Sequence, residues 1–211
     1  GGVQQMSTIP ISSSMLVGDQ FGYPDPFSGS LGWQERYGDQ EVSQFRSAQM
    51  IADKWDCSRD EMESFAVESH ERAIRARAEG RFDAEIAPFG EVMADEGPRE
   101  PNWDKIRSLR PLEEGGTITA AVASQISDAS AALLIASEQA VEDHGLTPRA
   151  RIHHLSVRAD DPVWMLTAPI PATRYALQKS GLTMDDIDLV EINEAFASVV
   201  LAWMKDLEVP H

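Results

Sequence analysis

Apolar positions recur at three- and four-residue steps over two long stretches in the first half of the chain. Val42, Phe45, Ala48, Gln49, Ala52 and Trp55 mark one such stretch, which predicts a helix from Glu41 through Trp55. Ser58, with Glu61 three residues later, is a capping-box pattern for a second helix. That helix runs on through Met62, Phe65, Ala66, Ser69, Ala73 and Ala76 and stops near Gly80. Glu68/Arg72 and Glu71/Arg75 stand at i,i+4 on its polar face, where such charges ordinarily mean a solvated surface. The first 40 residues read as irregular, with Ser12-Ser13-Ser14, Pro24, Pro26 and glycines from Gly18 to Gly38. Phe21, Tyr23, Phe27, Trp33 and Tyr37 are interleaved there. Two readings fit: a functional or interfacial loop, or a surface loop pinned by its aromatics.

Residues 81–116 read as loop with short extended pieces, followed by a strand-like Gly116–Ala120. Ser124, Ser127, Ala129, Ser130, Ala131 and Ala132 are small, which suggests close backbone approach in helix packing or at a ligand. The last hundred residues alternate. Helices are expected at Ser137–His144, at Pro169–Ser180 before Gly181, and at Glu194–Leu207; strands are expected at Arg151–Val157 and Ile187–Ile192. Strands and helices at this spacing predict a layered α/β fold. A composition shift near Gly115 is the best domain boundary.

Composition narrows the function classes. The 211 residues hold 18 Lys+Arg against 35 Asp+Glu, a formal net charge of −17, which argues against nucleic acid as a partner. No apolar run approaches the ~20 residues of a membrane helix, and no signal-like segment opens the chain. The single cysteine excludes an internal disulfide framework or a Cys-cluster metal site and fits a reducing cytoplasm.

Candidate chemistry is sparse. Asn193 sits where a strand is expected to hand over to a helix, and a plain N-cap is favoured there over a role in holding water. His153 and His154 would point to opposite faces of a strand, which makes a zinc site weak. His70 reads as surface, His144 as complementing a helix C-terminus, and His211 is uninformative. Cys57 precedes the N-cap Ser58, but Asp56, Asp60 and Glu61 oppose a thiolate there. Serine-hydrolase, P-loop and dinucleotide motifs do not occur.

Several segments nevertheless stand in a telling order. They are Gly1-Gly2-Val3-Gln4-Gln5-Met6-Ser7, Trp55 with Ser58-Arg59-Asp60-Glu61-Met62, Ala78-Glu79-Gly80-Arg81-Phe82, and Asp95-Glu96-Gly97-Pro98-Arg99. Thr119-Ala120 with Ala123-Ser124 and Asp128 follow, then Met165 with Pro169, then Asp188-Leu189-Val190-Glu191-Ile192-Asn193-Glu194-Ala195-Phe196-Ala197. The ordered set resembles the thiolase family of acetyl-CoA acyltransferases over essentially the whole chain. It is similar in particular to the actinobacterial thiolases associated with steroid catabolism. The resemblance implies a layered αβα core, present in part, with an inserted and mostly helical loop domain. It divides the chain into the end of one core half (1–10), the loop domain (11–115), a return to that half (116–145) and the start of the second (146–211).

The implied chemistry is thiolytic cleavage of a 3-ketoacyl-CoA, or the reverse Claisen condensation, with coenzyme A as a substrate and no metal. Asn193 matches an asparagine whose water helps form an oxyanion hole. Ser124 matches the serine touching the pantetheine arm, with Ala120 and Ile126 nearby. Arg99 matches an arginine at the nucleotide end, which also explains how an acidic chain can hold an anion. Met165, Ala195 and Phe196 match positions lining the acyl pocket. The resemblance also implies a homo-dimer or homo-tetramer.

The departures from the family pattern are equally informative. The nucleophilic cysteine is expected upstream of Gly1, and the catalytic histidine and second cysteine downstream of His211, so residues 1–211 alone are expected to be inactive. Ser43-Gln44 replaces a common histidine-methionine pair, and an aromatic after Leu109-Arg110-Pro111 is lost near Leu112. Both changes would widen or repolarise the acyl pocket. Ala129 and Ala168 replace usual glycines. Two other readings remain: a non-catalytic module keeping a coenzyme-A- or lipid-binding surface, and an α/β domain of unrelated function.

Overall fold

A computed structural model describes residues 1–210 apart from Pro24, Pro26 and Ser28, so those two prolines and His211 lie outside the described residues. Along the chain run β1 (Gly2–Gln4), α1 (Ser13–Asp19), α2 (Leu31–Tyr37), α3 (Gln44–Lys54), α4 (Arg59–Ala78) and α5 (Trp103–Ser108). β2 (Ala129–Ala131), α6 (Glu138–Asp143), α7 (Pro169–Ser180) and α8 (Ala197–Leu207) complete the order, with a 3-10 turn at Met184–Asp186. β1 and β2 pair antiparallel with Val3 opposite Ser130, so the small-residue run serves strand pairing.

The core forms where α3 and α4 meet α8. Ala48, Ile51 and Ala52 of α3, Met62 of α4, and Ala197, Val199, Leu201 and Ala202 of α8 are buried together with Ile118, Val122 and Phe196. Helix α8 is buried at every residue from Ala197 to Trp203, the signature of a helix packed on all sides. Its Ser198 hydroxyl donates to the Ala48 carbonyl at 3.0 Å, and both residues are fully buried. Small side chains at this contact bring the two backbones close enough for that bond.

Local signals explain where the long helices begin and end. Ser43 caps α3, its hydroxyl accepting the Arg46 N–H at 3.4 Å. Ser58 caps α4 by accepting from Glu61 N at 3.2 Å. The Glu61 carboxylate does not close the box, because it takes the Lys205 ammonium of α8 at 2.9 Å. Helix α4 ends before Gly80, and Gly181 closes α7; both glycines take left-handed φ, +71° and +73°. Glu68 and Arg72 pair at 2.6 Å, whereas Glu71 and Arg75 form no ion pair.

Several expectations need correction. The first 40 residues contain two short helices, α1 and α2, and Ser30 caps the second through Trp33 N. Phe27, Trp33 and Tyr37 stack at ring-centre distances of 4.7 and 4.5 Å, which supports the aromatic-pinned reading of this stretch. Residues 81–116 contain α5, capped by Asn102, whose side chain accepts from Lys105 N at 2.9 Å. Gly116–Ala120, Arg151–Val157 and Ile187–Ile192 are not strands. Gly116–Ala120 makes an isolated bridge, Thr119 to Pro111, that does not extend into a ladder, and among the described residues the other two segments lack a neighbouring strand; Val157 and Leu189 are exposed rather than buried. Helix α8 starts at Ala197, three residues later than expected, and its N-cap is Phe196, so Asn193 does not cap it. No helix among the described residues is long and apolar enough to cross a membrane.

Arg59 ties α4 to α5. Its Nε meets the buried Glu63 carboxylate at 2.7 Å, and Nη2 donates to the carbonyls of Ile106, Arg107 and Leu109 at 3.4, 3.1 and 3.0 Å. The guanidinium thereby satisfies carbonyls that the end of α5 leaves open. Arg59→Ala strands the Glu63 charge and should lower the unfolding free energy by about 2 kcal/mol, below the range for a fully buried pair because Arg59 is partly exposed. Urea unfolding of the full-length protein measures this. A loss under about 0.5 kcal/mol, as at an ordinary surface site, would contradict the assignment.

Candidate functional site

The entry to α8 is built by a backbone bridge rather than by a capping side chain. The Ala197 N–H donates to the Val122 carbonyl at 2.9 Å, and Ser124 N–H donates to the Ala195 carbonyl at 3.0 Å. Ala123 and Phe196 thus face each other as an antiparallel bridge. One of the N–H groups that any helix start leaves open is satisfied by this turn, and the Asn193 side chain, exposed four residues before the helix, is not needed as a cap. Ser124, Ala195 and Phe196 are therefore brought together directly.

Helix α3 supports this corner from behind. The Phe196 ring is 3% exposed and meets Phe45 edge-on at 5.9 Å. Gln49 Oε1 accepts from Thr117 N at 2.7 Å and Ile118 N at 3.3 Å, fixing the approach to the buried Thr119. Leu112 N–H donates to the Ile118 carbonyl at 2.8 Å, placing Leu112 beside the same segment. Ser43 and Gln44 open α3 immediately before Phe45; the Ser43 hydroxyl is engaged in capping and Gln44 is exposed. Ala120 is exposed on the turn, and Ile126 extends 73% exposed beyond it.

Met165 follows Trp164 on a strained turn beside α3. Its φ of +50° lies in the left-handed region, which costs a residue other than glycine about 1 kcal/mol or more. The Ser47 hydroxyl of α3 donates to the preceding carbonyl, that of Trp164. Asp161 Oδ1 accepts from Val163 N at 2.8 Å, and Asp161 O accepts from Met165 N at 3.0 Å. Such over-determined strain is a local signal of a positioned side chain.

Arg99 lies apart from the corner, on the loop 95–99, and its side chain is exposed. Four hydrogen bonds hold that loop. Asp95 Oδ1 accepts from Gly97 N at 2.9 Å, and Arg77 Nη1 donates to the Asp95 carbonyl at 3.3 Å. Gln125 Nε2 donates to the Gly97 carbonyl at 3.0 Å, and Arg99 N–H donates to His70 Nδ1 at 3.4 Å. His70 is half-buried rather than on the open surface, and burial, then the neighbouring Arg99 charge, holds its pKa below the usual imidazole value. The neutral ring that results keeps a lone pair for the Arg99 N–H. Gln125 and His70 lie 28 and 29 residues from their partners, so no local pattern announces them. The one hint is that Gln125 stands between Ser124 and Ile126.

Cys57 is 5% exposed, and burial pushes its thiol up in pKa; nearby Lys205 pulls it down by less, while Glu61 and Asp56 push it further up. A buried thiol held protonated is a poor nucleophile. A groove of about 650 Å³ between α4, α8 and residues 184–194 is lined by Phe65, Arg72, Ile187, Leu189, Trp203 and others, but not by Ser124, Phe196 or Arg99. Among the described residues no three His, Cys, Asp or Glu side chains cluster as metal ligands.

Residues 1–139 match the family model of the thiolase N-terminal domain, and residues 146–211 match that of the thiolase C-terminal domain. The chain belongs to the thiolase family. The thiolase chain is 60% identical to a steroid 3-ketoacyl-CoA thiolase, FadA6, of Mycobacterium tuberculosis, over 99% of its own length and 52% of that protein. It is 33% identical to a 3-oxoadipyl-CoA/3-oxo-5,6-dehydrosuberyl-CoA thiolase of Escherichia coli, over its full length and 56% of the relative. It spans about half the length of these curated relatives. Human mitochondrial 3-ketoacyl-CoA thiolase, solved in complex with CoA, superposes with a TM-score of 0.70 at 37% identity, over 78% of this chain and 43% of the human one. The thiolase α/β fold follows, with the helical packing described above as the part this chain displays.

The corner's dependence on Phe196 is open to test. Phe196→Ala should cost about 3–4 kcal/mol of stability, because a buried aromatic leaves a cavity. Ile126→Ala, at an exposed position, should cost under about 0.5 kcal/mol. Chemical unfolding of both variants measures the difference, and equal losses would contradict the packing. Native Cys57 should react with iodoacetamide at pH 8 at least about tenfold more slowly than the unfolded chain, as burial and a raised pKa require. Labelling at the rate of a free thiol would contradict its burial.

Proposed function

We propose that the protein is a coenzyme-A-dependent acyltransferase that cleaves 3-ketoacyl-CoA by thiolysis or runs the reverse Claisen condensation. The bridge that places Ser124 against Ala195 and Phe196 carries the reading, together with membership of the thiolase family. A turn of small, exposed residues, Ala120 and Ser124, suits a narrow pantetheine arm, with Ile126 as an exposed apolar flank. Arg99 is exposed and forms no ion pair among the described residues, which suits its guanidinium to the phosphates at the nucleotide end. The Asn193 carboxamide is exposed and not used as a cap, which leaves it able to hold a water toward a developing oxyanion.

The acyl end falls to Ser43, Gln44, Leu112, Met165, Ala195 and Phe196. Ser43 with Gln44 and Leu112 leave this side open and partly polar, which favours a bulky acyl group of the steroid-degradation kind; the 60% identity to a protein named as a steroid 3-ketoacyl-CoA thiolase supports the same choice. Residues 11–115 act as the inserted loop domain between core segments 1–10, 116–145 and 146–211, and the protein works as a cytoplasmic homo-dimer or homo-tetramer. Cys57, the one thiol of these 211 residues, is too buried to serve as the attacking nucleophile.

The test is release of acetyl-CoA, with the matching shortened acyl-CoA, by the full-length protein from a series of 3-ketoacyl-CoA substrates supplied with free coenzyme A as the thiol acceptor, followed by mass spectrometry. Polycyclic acyl groups should exceed acetoacetyl-CoA in kcat/KM by about tenfold or more, equivalent to about 1.4 kcal/mol of pocket discrimination. Asn193→Ala should lower kcat about 10²-fold or more, as loss of an oxyanion contact does. Preference for acetoacetyl-CoA would overturn the substrate class. Tight binding of coenzyme A with no turnover of any 3-ketoacyl-CoA would favour a non-catalytic binding module instead.

A further inference from the structure

The loop that carries Arg99 is held from two directions at once. From α4, His70 Nδ1 takes the Arg99 N–H at 3.4 Å, and Arg77 donates to the Asp95 carbonyl at 3.3 Å. From the turn before β2, Gln125 Nε2 reaches the Gly97 carbonyl at 3.0 Å. Gln125 lies between Ser124, whose N–H is bonded to Ala195, and the exposed Ile126. The loop that carries the arginine is therefore tied, through one side chain, to the turn that carries the serine. A Cβ on Gly97 would stand 3.3 Å from Asp95 Oδ1, a tight approach, and 3.7 Å from Gln125 Nε2, an ordinary contact, so the glycine matters for the Asp95 turn and leaves the Gln125 bond unaffected.

Resting on the reading of Ser124 and Arg99 as coenzyme-A contacts, we infer that Gln125 and His70 are positioning residues that set the distance between them. Two contacts on one elongated ligand act together only when their separation matches the ligand, and an exposed loop would otherwise lose that match to its own motion. Gln125 fixes the separation along the pantetheine direction through Gly97. His70 fixes the backbone of Arg99 itself, leaving the guanidinium to turn toward phosphate. Burial and the Arg99 charge keep the imidazole neutral, so it remains an acceptor for that N–H. The role is specific to the phosphorylated nucleotide end, because Ser124 and the Ala195 bridge are held independently of the loop.

Calorimetric titration of the full-length protein with coenzyme A and, separately, with pantetheine, which lacks the nucleotide and its phosphates, separates the parts. Arg99→Ala should weaken coenzyme A about tenfold and leave pantetheine unchanged. Gln125→Ala and His70→Ala should each weaken coenzyme A about three- to tenfold, again sparing pantetheine, and should add nothing in an Arg99→Ala background. His70→Asn, which can return an acceptor oxygen near the Nδ1 position, should recover most of the wild-type affinity. Equal weakening of pantetheine, full additivity with Arg99→Ala, or unchanged coenzyme-A affinity in both single variants would overturn the inference. Unchanged affinity in Arg99→Ala itself would instead overturn the placement of Arg99 beneath it, and the inference would fall with that placement.

Discussion

The contact between Ala48 of α3 and Ser198 of α8 is the constraint on which the other arrangements depend. Both residues are fully buried, and the hydroxyl of one bonds the carbonyl of the other at 3.0 Å across 150 positions of sequence. A larger side chain at either place would part the helices, and a loss of the hydroxyl would remove a buried polar partner. Because the helices close here, Phe45 meets Phe196, Ser47 reaches the Trp164 carbonyl, and Gln49 takes the amides of Thr117 and Ile118. Side chains from two faces of α3, Phe45, Ala48 and Gln49 on one and Ser47 on the other, thereby organise three separate stretches of chain, those around residues 117–118, 164–166 and 195–198.

The same economy governs the polar groups. The start of α8 is satisfied by the Val122 carbonyl, which frees Asn193 from capping and sets Ser124 against Ala195. The end of α5 is satisfied by Arg59, whose charge is balanced by buried Glu63. In a chain of net charge −17, the proposed anionic ligand must be met by local arrangement; the Arg99 backbone is held by His70, its loop by Gln125, and the residue is exposed.

Local sequence patterns carried the long helices well, missed the short α1, α2 and α5, and carried the strands poorly. The Ser58 cap, the α3 stripe, Gly80 and Gly181 each act within a few residues of the feature they specify, so they can be read from sequence alone. Arg151–Val157 and Ile187–Ile192 have strand-like apolar runs, but a strand is completed by a neighbour, and these segments have none among the described residues. Asn193 was legible as a special position for the wrong local reason: the cap it could have provided is supplied by Val122 from 75 residues earlier in the numbering, at 2.9 Å to Ala197. Ser124 was readable from the run of small residues as a place of close backbone approach, but its grouping with Ala195 and Phe196 came through resemblance to the thiolase family. Gln125 and His70 were not readable as site residues at all, since their partners are remote and a glutamine or a helical histidine has many ordinary uses.

A crystal structure of the full-length protein with coenzyme A bound decides whether the α3–α8 contact builds a coenzyme-A site at the Ser124–Phe196 corner. The pantetheine arm should lie along Ala120, Ser124 and Ile126, the nucleotide phosphates against Arg99, and the acyl end toward Met165 and Phe196. Coenzyme A bound away from that corner, for instance in the groove between α4 and residues 184–194, would contradict that placement.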